Sequence, residues 1–256
     1  MIGNAKKNLG LVLQKNSAPL KLLPQIQENE VHLWCLPLEL DEYQHNIGLS
    51  LLNDNQRNKY ERRKTAALKA SYLAGRYYLW HLLSGYSGQP INQLGLSYNH
   101  LKKPSLQSNP QRLEFNFTDT FINNDHAIGI YAFGLDKALG VDLESLNRKG
   151  DFQRVSKRRF SEAEQAYINS SPEHQNHRFL KLWTRKEAYG KAKGVGINFA
   201  MQKLDLFSDS HNLAFKCDQQ RDWQLLQISP NQSTIACVVR EGETPFSCRF
   251  FTQFSK

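Results

Sequence analysis

The chain has 256 residues, 40% of them hydrophobic and 22% charged, which is enough for one large core or two small ones and argues against disorder. No apolar run reaches the ~20 residues that cross a bilayer, and the four cysteines (Cys35, Cys217, Cys237, Cys248) show no CxxC spacing. A zinc site, a disulfide scaffold and a membrane span are therefore not expected, and a reducing cytoplasm is. The formal net charge of +9 calls for an anionic partner, for which nucleic acid, a phosphorylated cofactor or an acidic protein would serve.

Lys6 and Lys7 precede an apolar stretch of only Leu9 to Leu13. That is too short for a secretory signal, so residues 1–28 are read as an arm. VHLWCLPL (31–38) alternates and ends at a proline-containing turn, as a strand does. From Ser50 to Ser84 apolar residues recur at three- and four-residue steps, which predicts helix. A short strand is expected near 94–98. LEFNFTDT (113–120), HAIGIYAF (126–133) and ALGVDLE (138–144) are predicted strands. Ser161-Glu162-Ala163-Glu164 has capping-box spacing, and a longer helix is expected from about 176 to 193, stopping at Gly194. LDLF, LAFK, WQLLQIS, STIACVV and CRFFTQF make a strand-rich end. Strands and helices appear once in each half, so the expected class is α+β with two similar lobes meeting near residue 135.

In GVDLE (140–144), Asp142 and Glu144 are two apart on a strand and project to one face. Two carboxylates that close repel unless a cation or basic groups neutralise them, and Mg²⁺ takes such ligands together with substrate phosphates. By itself the pair is weak evidence, because such a motif is more often matched by accident. In LWTRKEAYGKAKGVGI (182–197), Trp183, Glu187 and Lys191 are four apart on one helical face, with Lys186 next to it. A solvated helix would carry the same Glu–Lys pair, but Trp183 and Tyr189 favour burial, and a cleft wall accommodates both. His174 and His177 stand three apart in a polar loop without a third ligand, and are not read as a metal site.

Together, GVDLE and WTRKEAYGK resemble the two signature motifs of the Sfp-type 4′-phosphopantetheinyl transferases. SYLAGRYYLWHLL (71–83), KKP (102–104), FNFTDT (115–120) and RRFSEAE (158–164) are similar to weaker elements of that family, in the same order. The resemblance covers about residues 50 to 200. It implies a pseudo-dimer of two α+β lobes with the active site between them: 1–28 the arm, 29–135 an N-terminal lobe contacting coenzyme A, and 136–256 a C-terminal lobe with the metal site and a docking surface. It further implies Mg²⁺, with Mn²⁺ as a substitute, held by Asp142, Glu144 and Glu187. Glu187 would take the proton of the acceptor serine, and Lys191 would neutralise phosphate. Arg76 and Lys103, with Lys186 behind them, would meet the phosphates of CoA, and Thr118 and Asp119 would border the nucleotide. The acceptor would be an apo acyl or peptidyl carrier protein, an acidic helical bundle.

Asp119 departs from the pattern, because many members carry histidine there. An ionised acid cannot contact a phosphate directly. Between Ser145 and Ser161, the six basic residues Arg148, Lys149, Arg154, Lys157, Arg158 and Arg159 face one acid, Asp151, and are the expected docking surface. A monomer in the cytoplasm, without nucleic acid or membrane, completes the expectation. The alternative is a catalytically impaired paralogue that binds CoA or RNA. No RNP-like motif supports RNA, and no GxxxxGK(S/T) loop supports another phosphotransferase.

Overall fold

The computed structural model describes residues 23–195, 204–217 and 221–252. The helices are α1 (Glu42–Ser50), α2 (Asp54–Glu61), α3 (Ala66–Ser87), α4 (Phe152–Arg159), α5 (Glu162–Asn169) and α6 (Gln175–Lys193). The strands are β1 (Glu30–Pro37), β2 (Leu96–Tyr98), β3 (Pro104–Leu106), β4 (Leu113–Phe121), β5 (Ala127–Leu135), β6 (Leu139–Ser145), β7 (Asn212–Cys217), β8 (Arg221–Ile228), β9 (Thr234–Glu241) and β10 (Ser247–Thr252). Two four-stranded sheets run in the orders β10-β1-β5-β4 and β6-β9-β8-β7, and β2 and β3 form a hairpin of their own. Every pairing is antiparallel except β1 with β10.

Each sheet is covered by one long helix. On the first, Tyr77, Leu82 and Leu83 of α3 share a core with Phe115, Tyr131 and Phe133. On the second, Ala188, Tyr189 and Ala192 of α6 pack on Trp223, Leu225 and Val239. A third cluster joins the lobes, with Val31, Leu33, Ile130 and Ala132 of one sheet against Leu139, Val141, Leu143 and Val238 of the other. Asn116 Oδ1 on β4 also accepts the Val141 N–H at 3.0 Å. The chain is thus mixed α+β in two lobes of like build.

Local chemistry sets the helix ends. Thr65 caps α3 by accepting from Leu68 N–H at 3.2 Å, and Gly88, at φ +69°, ends it. Ser161 and Glu164 form the expected capping box of α5. Gly194, also at φ +69°, ends α6, because only glycine enters that conformation without strain.

Several expectations are corrected. The helical stretch 50–84 is two helices broken at residues 62–65. Helices α1 and α4 were not expected. LDLF (204–207) is not a strand: Leu206 N–H donates to Glu164 Oε1 at 3.2 Å and its carbonyl accepts from Arg185 at 2.7 Å, so side chains rather than a ladder satisfy this backbone. Of the expected arm, residues 1–22 lie outside the described residues, while Leu23 and Ile26 are buried in the first core. Strand β10, assigned to the C-terminal lobe, completes the first sheet beside β1. No helix among the described residues is long and apolar enough to cross a membrane.

Candidate active site

Strand β6 sends Val141 and Leu143 into the core between the lobes and leaves Asp142 and Glu144 on the face toward α6. Gly140 makes the approach possible, since a Cβ there would lie 2.1 Å from Ala188 O and 2.4 Å from Ala192 N. Helix α6 then presents Glu187 and Lys191, one turn apart, to the same space. A cleft of about 420 Å³ results, lined among others by Thr118, Asp119, Asp142, Glu144, Trp183, Glu187 and Lys191.

Lys191 Nζ donates to Asp142 Oδ1 at 2.7 Å, to Thr118 Oγ1 at 3.2 Å and to the Val141 carbonyl at 3.2 Å. Thr118 Oγ1 in turn donates to Asp142 Oδ1 at 3.3 Å. The other oxygen, Asp142 Oδ2, is buried without a hydrogen-bond partner, a costly state for a carboxylate unless a cation completes it. Arg148 forms an ion pair with Glu144 and lies 5.5 Å over the Trp183 ring.

Burial raises the Asp142 carboxyl above the usual range, against the pull of Lys191. Glu144 is pushed up to about 7 by burial and by Asp142 beside it, and Glu187 to about 7 for the same two reasons. Burial of all three, with the charge of Asp142 acting on the two glutamates, makes a strong electrostatic demand for positive charge. Among the described residues no three His, Cys, Asp or Glu side chains stand close enough to ligate one ion as placed. Arg148 and Lys191 cover two of the acids instead. The donor set of hard oxygens and the orphaned Asp142 Oδ2 fit a small hard cation that displaces those two side chains.

Two residues expected near the phosphates do not line this cleft. Lys186 is buried and paired with Glu164 at 2.5 Å, because one residue along a helix turns the side chain ~100°, away from the face of Glu187. Lys103 directs Nζ to the Ala192 carbonyl at 2.6 Å, outside the cleft. Asp119 sits at the rim on the opposite face of β4 from Thr118. Phe117, its neighbour on that face, reaches Gly75 of α3. Asp119 therefore faces α3: burial raises its carboxyl, while Lys191, Arg63 and Arg76 pull it down. The guanidiniums of Arg63 and Arg76 lie 4.9 and 5.4 Å from the centre of the Tyr72 ring. Sequence reasoning missed Arg63, for which a run of basic residues gives no means of choosing one. Arg148, expected at the docking surface, pairs with Glu144 at i,i+4 spacing, which is itself the sequence signal for the contact.

Residues 138–239 match the family model of the 4′-phosphopantetheinyl transferase superfamily. The chain is 29% identical over 217 residues to the 4′-phosphopantetheinyl transferase HetI of Nostoc sp., covering 84% of this chain and 89% of that protein. It is 28% identical over 151 residues, 55% of this chain and 48% of the relative, to the human L-aminoadipate-semialdehyde dehydrogenase-phosphopantetheinyl transferase. The matched segment begins at the strand of Asp142 and Glu144 and includes the helix of Glu187 and Lys191, so the likeness to the 4′-phosphopantetheinyl transferase superfamily falls on the part of the chain that builds the cleft.

Proposed function

We propose that the protein is a transferase of the Sfp type, moving the 4′-phosphopantetheine arm of coenzyme A to a serine hydroxyl of an apo acyl or peptidyl carrier protein. Adenosine 3′,5′-bisphosphate leaves, and Mg²⁺ or Mn²⁺ is required. The observation that carries this reading is the meeting of Asp142, Glu144, Glu187 and Lys191 in one cleft within the segment that matches the superfamily. Two lobes within one chain support action as a monomer, and the reducing cytoplasm suits its free cysteines.

The serine oxygen attacks the phosphorus that carries the pantetheine arm. A serine O–P bond forms, the bridging P–O bond breaks, and its electrons leave with the adenosine bisphosphate. Asp142, Glu144 and Glu187 would hold the divalent cation, which neutralises pyrophosphate oxygens when bound. Glu187, titrating near 7, is suited to take the serine proton near neutral pH, directly or through water. Lys191, now on Asp142, is the cation available for phosphate charge. In the first lobe, residues 29–135, Arg63 and Arg76 are the better candidates for CoA phosphates, with Thr118 at the border. Asp119, raised by burial and opposed by Lys191, Arg63 and Arg76, balances the charge of these cations rather than meeting the ligand.

The docking surface is assigned to α4 and the loop before it. Lys149, Arg154, Lys157 and Arg158 are exposed, while Phe152 stacks on Phe179 at 4.6 Å and anchors the helix. Arg148 is turned into the cleft, and Arg159 acts on Glu187, so neither is a clean probe of docking. Reversing charge at Lys157 and Arg158 together should raise KM for an acidic carrier about tenfold and leave KM for CoA unchanged. Equal changes in both constants would refute the assignment.

The reading as a whole is tested by incubating the protein with CoA, Mg²⁺ and several apo carrier proteins. Intact-mass spectrometry should show one phosphopantetheine added to the acceptor serine. Unmodified carriers throughout, with RNA retained instead, would overturn it.

A further inference from the structure

The two elements that carry the acids are gripped at one end by a single turn of the other lobe. Between β2 and β3, Asn99 Oδ1 accepts the N–H groups of Leu101 at 3.0 Å and Lys103 at 2.8 Å. Asn99 N–H donates to the Lys103 carbonyl at 3.1 Å, and Lys102 sits at φ +68°. The turn is thereby fixed before it touches anything else. From it, Lys103 Nζ donates to Ala192 O at 2.6 Å and to Leu139 O at 3.4 Å, and Asn99 Nδ2 donates to Gly194 O at 3.1 Å.

The positions of those carbonyls matter. Ala192 follows Lys191 directly, near the end of α6. Leu139 opens β6, three residues before Asp142. The last carbonyls of a helix lack intrahelical partners and carry the negative end of its dipole, so a buried ammonium is stabilised there. Glu114, 3.8 Å away, supplies countercharge. Two carbonyls thus accept from the ammonium and a carboxylate balances its charge, so the side chain is committed to groups of the protein itself.

We propose that Lys103 is a positioning residue, a latch from the first lobe that sets the separation of α6 from β6 and thereby the spacing of Asp142, Glu144 and Glu187. The inference rests on the transferase reading for what that spacing serves. It assigns Lys103 to the metal site's geometry and not to the nucleotide.

The test uses the full chain and Lys103→Met, which keeps the apolar stem. Uptake of Mn²⁺ in the presence of CoA is followed by electron paramagnetic resonance, CoA binding without metal by calorimetry, and folding by Tm. Mn²⁺ affinity and kcat should each fall about tenfold or more, as for other residues that orient metal ligands, while CoA affinity stays within about twofold. Lys103→Arg, with donors that reach the same carbonyls, should restore most of the loss. Should Lys103→Met fail to fold, Asn99→Ala carries the test, with a smaller shift in the same direction. Unchanged Mn²⁺ affinity overturns the latch whether or not Tm falls. So does weakened CoA binding with Mn²⁺ uptake intact, which would return Lys103 to the nucleotide. Wild-type protein that takes up neither CoA nor Mn²⁺ refutes the transferase reading itself, and the latch with it.

Discussion

Glu187→Gln is expected to lower the rate of carrier modification by about a hundredfold to ten-thousandfold, the usual span for a lost general base, and to leave the fold intact. The amide keeps the shape of the side chain, so Trp183 and Lys191 retain their neighbour. It cannot take the serine proton, and it is a poorer ligand for a hard cation. The sign of the stability change is informative. Burial and the Asp142 charge push Glu187 up to about 7, so its ionised form is disfavoured in the folded protein at neutral pH. Removing that charge relieves repulsion. The metal-free variant should therefore melt no lower than wild type while its turnover collapses, as at other sites where function is held against stability. A turnover within twofold of wild type, measured by holo-carrier formation, would remove Glu187 from the chemistry.

Gly140→Ala should damage both fold and activity. The added Cβ would meet Ala188 O at 2.1 Å and Ala192 N at 2.4 Å, and both are backbone atoms of α6 that no side-chain rotation clears. Helix and strand must separate, which opens the packing of Ala188 and Ala192 on the second sheet. Overpacking of this kind costs about 1–3 kcal/mol and sometimes more. The same shift moves Glu187 away from Asp142 and Glu144, and misplacement of ~1 Å can cost about a hundredfold in rate. Urea unfolding and initial rates check this directly. A variant with the wild-type midpoint and rate would show that the close approach of α6 to β6 is not needed. The glycine that opens the GVDLE motif thus has a steric reason as definite as the electrostatic one of its two acids.

Much of this architecture is legible in the sequence wherever a residue's role is local. Alternation marks β4, β5 and β6 to within two residues at either end, Ser161 and Glu164 announce the start of α5, and Gly194 announces the end of α6. Helix α1 escapes because it is short and lacks a clear apolar period, and α4 because its apolar face is only Phe152 and Val155 within a basic run. The caps Asp41 with Gln44, and Asp151, also signal them. The return of β10 to β1 is a parallel pairing between the two ends of the chain, and nothing in either strand names its neighbour. The segment 204–210 is apolar enough to suggest a strand, yet Arg185 and Glu164 hold its backbone.

The same division runs through the site. Strand period and helix period put Asp142, Glu144, Glu187 and Lys191 on facing surfaces, and those four meet. Lys186 and Lys103 carry the right charge in the right motifs, but their direction depends on partners distant in sequence, Glu164 and Ala192. Asp119 is decided by alternation along β4, which puts it on the other face of the strand from Thr118, at the rim of the cleft, where Lys191, Arg63 and Arg76 act on it.

The central claim is that one divalent cation, held by the three acids, meets the pyrophosphate of CoA. Phosphorus NMR of CoA bound to the protein, with substoichiometric Mn²⁺, tests it most directly. The account predicts strong broadening of the two pyrophosphate signals, weaker broadening of the 3′-phosphate, and loss of the contrast in Asp142→Asn. Equal broadening of all three signals, or the same pattern in wild type and Asp142→Asn, would contradict it.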